Sequence, residues 1–243
     1  MTFGVGGDSA AGTQIDPRPV LIVTGLVQEA RIAAGPGMVV VCSSSDPRQL
    51  RTLLTVFDPT SIRGVISFGV AGGLDPSLKP GDVVVATEVT AGDARWLAGS
   101  LNEGLITSLT LGRRRVVRGG LAGVEEVVAA KARKAALWLQ TGAAAVDMES
   151  HIAAAYAAEA GLPFAALRVI SDAAHRSLPS LARYAIRPDG KVDLGRILGS
   201  VARNPTTLRA LVSAGLDFNR ALKSLRGCRG LLLGSEGLVA ANL

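Results

Sequence analysis

The sequence predicts an α/β fold in which helices alternate with strands, and three observations point to it. Hydrophobic residues make up 48% of the 243-residue chain but aromatics only 4%, and Ala, Val, Leu and Gly carry most of the apolar content. That composition suits parallel strands covered by Ala-rich helices better than an antiparallel β-sandwich. Short apolar runs of strand length recur along the chain between helical stretches, and Gly- and Pro-based turn signals stand between them. The length suffices to bury a substantial core as one domain. A single domain over residues 1–243 is therefore expected, with 1–19 flexible and 226–243 a frayed tail.

Val20–Gly25 reads as a first buried strand ending in glycine, followed by a short helix over Val27–Ala34 and a second strand at Met38–Cys42. Asp46-Pro47 opens the next helix, which runs through Val56, with Asp46 as its N-cap and Pro47 where a missing N–H costs nothing. Gly64–Phe68 returns as a third strand, Gly69–Gly73 as a tight glycine turn, and Lys79-Pro80-Gly81-Asp82 as a turn into the strand Val83–Val89. Beyond it come a strand at Val116–Gly119, a helix over Glu125–Gln140 and a strand at Ala143–Asp147. A helix over Glu149–Ala160 stops at Gly161, and Phe164–Ile170 is again a strand. Ser180–Leu225 reads as helices, with starts at Asp193 and at Asn204-Pro205.

Composition excludes several classes of function. Two cysteines, Cys42 in an apolar strand and Cys228, suggest neither disulfide nor metal chemistry and fit a reducing cytoplasm. The Gly-, Ser- and Asp-rich N-terminus lacks the apolar core of a secretory signal, and no apolar stretch reaches the roughly 18–20 residues that span a bilayer. The net charge of +6, densest at Arg113-Arg114-Arg115 and Arg118, comes without aromatics to stack bases, so nucleic acid is not expected as a partner. A basic face can also meet phosphate or the anionic surface of the inner membrane, which permits a peripheral contact there.

Three strand ends carry candidate chemistry, since ligands of α/β sheets gather where strand carboxyl ends meet loops and helix N-termini. At Ser67–Leu74 the glycines let a ligand approach the main chain and expose N–H groups to an anion or a ribose oxygen, although a plain structural turn is the commoner reading; the dinucleotide spacing is absent. At Ala145–Ser150, acidic residues interrupt an apolar strand as a helix begins. Asp147 and Glu149 there either cap that helix or accept hydrogen bonds from two vicinal ribose hydroxyls. At Leu167–Ala173 an arginine sits within a strand that should be buried, so Arg168 needs an anion, a carboxylate partner or water. Asp172 closes that strand, placed either for catalysis or to cap the next helix. His151 reads as packed or solvated in its Ala-rich helix, and His175, closer to Asp172, either lines the mouth of a pocket there or, as the commoner reading, has no part in it.

These segments carry a resemblance. Gly-x-x-Gly-Gly-Leu-x-Pro-x-Leu-Lys-x-Gly-Asp at 69–82, Val-Asp-Met-Glu at 146–149 and Arg-x-Ile-Ser-Asp at 168–172, in that order, resemble the methylthioadenosine/S-adenosylhomocysteine nucleosidases and related phosphorylases. The similarity spans roughly Val20–Ala174, and the tail with Arg187-Pro188-Asp189-Gly190 resembles the hopanoid-associated phosphorylase subgroup. It implies a three-layer α/β/α, nucleoside-phosphorylase-like fold with a mixed central sheet flanked by helices. It also implies an enzyme that cleaves the purine N-glycosidic bond of an adenosyl substrate, with adenosylhopane as the subgroup's substrate and ribosyl- or phosphoribosyl-hopane as product. Alternatives are methylthioadenosine, S-adenosylhomocysteine or another purine nucleoside as substrate, or a nucleoside-binding protein without turnover. No cofactor is implied, water or phosphate is the co-substrate, and the resemblance implies a homo-oligomer.

By similarity, Asp172 donates a proton or strong hydrogen bond to purine N7, Ser171 holds that carboxyl, and Met148 and Glu149 grip the ribose. Arg168 and the Ala71–Gly72 region hold the nucleophile. Because an ordinary Asp, with a pKa of about 3.9, is a poor acid near neutrality, the site is expected to raise that value. Two departures concern the attacking species. The nucleosidases carry a glutamate on the first helix where this chain has Ala30, with Glu29 one residue earlier, and a one-residue step turns a helical side chain through roughly 100°. Val70 stands where the family places a serine. Glu29 is the candidate to replace the missing carboxylate.

Overall fold

The computed structural model describes residues 16–98, 115–178 and 207–234. Its strands are β1 (Val20–Thr24), β2 (Met38–Cys42), β3 (Val65–Gly73), β4 (Val83–Ala91), β5 (Ala94–Leu97), β6 (Val116–Gly123), β7 (Ala145–Asp147) and β8 (Phe164–Asp172). The helices are α1 (Val27–Ala33), α2 (Pro47–Thr55), α3 (Lys131–Thr141), α4 (Ser150–Glu159) and α5 (Thr207–Gly234).

All the strands join one eight-stranded mixed sheet, the fold class expected. β1 lies between β2 and β3, parallel to both. β8 runs parallel to β3 and antiparallel to β4, while β7 pairs antiparallel with β3 and parallel with β6, which pairs with β4. The β3, β8, β4, β6 and β7 ladders therefore close on themselves, and the carboxyl ends of β3 and β8 meet the end of β7. Two apolar layers cover the sheet. One includes Leu50 and Leu54 of α2 and Ile152, Ala153 and Ala157 of α4; the other includes Ile32 of α1 and Ala221, Leu222, Leu225 and Cys228 of α5.

Local chemistry explains most boundaries. Asp46 caps α2 by accepting from the Arg48 and Gln49 amides, with Pro47 at the first turn. Gly142 and Gly161, both left-handed at φ 65° and 64°, close α3 and the turn after α4.

Four expectations are corrected. Gly69–Gly73 is no tight turn but the second half of β3: Gly69 pairs with Arg168 on β8, and Gly72 and Gly73 pair with Val146 and Ala145 on β7. The helix expected from Glu125 begins only at Lys131, because Ala130 is extended and the side chain of Glu125 is engaged by Arg51 and His151. The tail expected to fray after Arg226 stays helical to Gly234, held by the buried Cys228 and Leu232. Cys42, expected in a buried strand, is only half-buried. The helix starts at Asp193 and Asn204 and the Arg187–Gly190 motif lie outside the described residues, as do Arg113 and Arg114.

Candidate active site

The site is organised around a buried cation. Arg168 is 0% exposed in the middle of β8, and a guanidinium there must be fully paired. Its Nη2 donates to Ser67 Oγ at 2.6 Å and lies 3.2 Å from Asp147 Oδ1; its Nε donates to Ser150 Oγ at 3.2 Å, and Nη1 lies 3.5 Å from Glu149 Oε2. Burial opposes its charge, but Asp147, Glu149 and Glu29 together hold its pKa above the ordinary value. Asp147 is committed to structure, its Oδ1 accepting from the Glu149 and Ser150 amides at the start of α4. Of the two acidic residues at this junction, Asp147 is therefore the cap, and Glu149 is left for the cavity.

Glu29 reaches the site despite the one-residue step. At the third position of a helix, a glutamate can fold back over the helix N-terminus. Glu29 Oε2 accepts from the Gly25 and Leu26 amides and Oε1 from the Val70 amide, each at 2.8 Å. The anion held by the exposed N–H of the glycine segment is thus the protein's own carboxylate. A Cβ on Gly69 would lie 2.7 Å from Arg168 Nη1 and 2.8 Å from the Glu29 carboxyl carbon, so glycine there is what admits both side chains. Burial raises the Glu29 pKa, against the opposing pull of Arg168 and the three amides.

Glu149 is 6% exposed and accepts from Ser43 Oγ at 3.3 Å. A Cβ on Gly25 would stand 2.6 Å from its Oε1, so the end of β1 must be bare for this carboxylate to fit. Burial, opposed by Arg168 and reinforced by Asp147 and Glu29, pushes its pKa up to about 7. Ser43 is delivered by a turn in which Ser44 and Ser45 adopt left-handed φ values of 52° and 59°. For non-glycine residues that conformation costs roughly 1–2 kcal/mol each, and it also brings Ser45 to the cavity wall.

Asp172 ends β8 beside a register shift between Ala71 and Gly72. The Ser171 hydroxyl donates to its Oδ1 at 2.6 Å. Its Oδ2 pairs with the ammonium group of Lys134, a fully buried residue of α3. Asp172 is thus held between a hydroxyl on one oxygen and a buried ammonium group on the other.

A cavity of about 360 Å³ opens between these groups, within the size range of small-ligand sites. Asp172, Ser171, Glu149, Met148, Glu29, Ala71 and Gly72 all line it, so seven of the sequence-derived residues converge. Arg168 does not: it stands behind Glu149 and Asp147 as their counter-ion, away from the wall where its contact with the nucleophile was expected. His175 is exposed and away from the cavity wall, while His151 is packed against Glu125 at 2.9 Å. Sequence reasoning missed Lys134, Ser43, and the wall supplied by Leu211, Ala214 and Phe218 of α5. Serine in a polar turn and lysine in a mixed helix carry no distinguishing pattern. Among the described residues no Lys, Arg or His lines the cavity, and no cluster of three or more His, Cys, Asp or Glu is arranged for a metal ion. No helix of the described residues is long and apolar enough to cross a membrane.

Comparison with known proteins agrees with this architecture. The model of the phosphorylase superfamily matches residues 15–182. No curated protein matches the chain. Among solved structures, futalosine hydrolase of Helicobacter pylori superposes with a TM-score of 0.66 at 16% identity, covering 90% of this chain and 98% of that one. The 5′-methylthioadenosine/S-adenosylhomocysteine nucleosidase of H. pylori, complexed with a pyrrolopyrimidine compound, gives 0.64 at 19% identity over 91% and 98%. That of Neisseria meningitidis, in complex with methylthio-immucillin-A, gives 0.64 at 18% over 90% and 98%. These likenesses establish a shared fold, and with the family match over most of its length the chain is an enzyme of the phosphorylase superfamily.

Proposed function

We propose that this enzyme hydrolyses the N-glycosidic bond of a purine nucleoside, with water as the nucleophile. The observation that carries the choice is the make-up of the cavity wall: the acidic residues Glu29, Asp147, Glu149 and Asp172 line it, and among the described residues no cation does that could hold a phosphate. A phosphate dianion 4 Å from a carboxylate meets a repulsion on the order of 4 kcal/mol per pair of unit charges at an effective dielectric near 20. The same wall favours a sugar turning cationic.

In this mechanism the base lies against Ser171 and Asp172 and the ribose against Met148 and Glu149. As the bond from C1′ to the base stretches, its electron pair leaves with the purine, which takes a proton at N7 from the Asp172 carboxyl. Interactions that strengthen as charge develops lower the barrier. Glu149 holds the ribose hydroxyls and stabilises the oxocarbenium-like sugar. Water then bonds to C1′ and gives its proton to Glu29, which stands at the cavity wall and whose pKa burial raises. Arg168 touches neither substrate nor water and holds Glu149 and Asp147 in place.

The substrate is an adenosyl compound with an apolar 5′ substituent. Val124, Val127, Val128 and Leu178 with Leu211 and Phe218 make much of the wall apolar, which supports such a group, and the resemblance of the tail points to adenosylhopane. The solved relatives with nucleoside analogues bound support the nucleoside part. The test is product analysis with adenosylhopane, methylthioadenosine, S-adenosylhomocysteine and inosine, each with and without phosphate. Adenine and the free ribosyl product at a phosphate-independent rate are expected; a phosphorylated sugar overturns the choice of water, and binding without base release leaves a nucleoside-binding protein.

A further inference from the structure

Lys134 is buried to 0% exposure in α3, outside the residues that line the cavity. An ammonium group has three protons to place, and burying it unpaired is costly. All three are placed. They go to Asp172 Oδ2, to the Ala173 carbonyl at 3.1 Å and to the Arg176 carbonyl at 3.2 Å. The segment it grips is fixed at its far end as well, because the Leu178 amide donates to the Ala129 carbonyl and the Lys131 amide to Ser177 Oγ. The base-facing carboxylate is therefore clamped between a hydroxyl on Oδ1 and an ammonium on Oδ2.

We propose that Lys134 is a positioning residue for the leaving-group end of the site, holding Asp172 aimed into the cavity and docking the 173–178 segment beside it. This rests on the hydrolytic reading above. Its bond to Oδ2, with the Ser171 hydroxyl on Oδ1, fixes the plane in which the Asp172 carboxyl meets the cavity. A residue that merely stabilised the fold would affect every substrate alike, whereas one that positions the proton donor matters only when the departing group needs a proton.

That distinction gives the test. Lys134→Met, Asp172→Asn and the double variant are assayed on the purine nucleoside that the wild-type enzyme cleaves fastest and on 4-nitrophenyl β-riboside, whose leaving group departs as a stable anion. Lys134→Met is expected to lower kcat on the purine nucleoside by roughly 10–100-fold, with KM changed far less, because a misaimed donor costs on that scale. Its rate on the nitrophenyl riboside should stay within a few-fold of wild type, and it should add no further loss in the Asp172→Asn background. If Lys134→Met does not fold, Lys134→Gln, which keeps two donors, is expected to show the same leaving-group dependence. Equal losses on both substrates, or an unchanged purine rate, overturn the role of Lys134 while leaving hydrolysis intact. A wild-type enzyme that releases no base from any purine nucleoside overturns both.

Discussion

Individual side chains carry the chemistry, and two of them make separable predictions. Asp172→Asn keeps the shape of the carboxyl but cannot donate the proton, so kcat for base release should fall by about 10²–10⁴-fold while an adenosine analogue still binds, as calorimetry would register. Glu149 makes a prediction about pH. Its folded pKa of about 7 lies above the ordinary 4.5, and that of Glu29 is raised as well. A carboxyl with a raised pKa binds more protons folded than unfolded, so its contribution to stability is lost as pH rises from about 4.5 through about 7. Thermal unfolding followed across that window should show the wild type losing stability with rising pH and Glu149→Gln losing less; parallel curves would contradict the assignment. At this scale the sequence was informative where residue type and strand end coincided, as at Asp172, Ser171 and Glu149. It was silent on Lys134, whose place is set only when α3 packs over β8, and ambiguous for Glu29. A one-residue offset disqualifies a side chain in mid-helix but not one at the third position, where it can fold back over the N-terminus.

Elements deliver these groups, and glycine is the means. The second half of β3 has to be strand, to pair with β7 and β8, and bare, to admit Glu29 and Arg168. Gly69→Ala places a methyl 2.7 Å from the guanidinium and 2.8 Å from the Glu29 carboxyl carbon. Overpacking of this kind typically costs about 1–3 kcal/mol, and displacing Glu29 should lower kcat as well, which denaturant titration and steady-state kinetics measure together. Glycine density signalled a turn in the sequence because turn and bare strand share a composition; only the ladder partners tell them apart. The same holds for the tail, where Gly227 and Gly230 suggested fraying. Cys228 and Leu232 nevertheless recur on one face of α5 against the sheet. Leu232→Ala should therefore cost on the order of 2–5 kcal/mol, as a core truncation does, and a change within a few tenths would mean that the segment is frayed after all.

The whole molecule determines which reaction those residues perform. The order of strands was largely legible, because apolar runs bounded by Gly and Pro mark buried strands irrespective of their partners. The closure of β3, β8, β4, β6 and β7 into a ring depends on pairings far apart in sequence and was not. That closure brings four carboxylates to one wall and turns the cations, Arg168 and Lys134, behind them, each saturated by its own partners. Among the described residues, the net positive charge of the chain, which invited a phosphate or membrane surface as partner, is thus not expressed in the cavity wall. Cleavage of the purine nucleoside in H2(18)O, with phosphate present in excess, tests this account most directly. Label is expected at C1′ of a free ribosyl product, released together with the purine base at a rate that phosphate does not change; a ribosyl phosphate bearing no solvent label would contradict it.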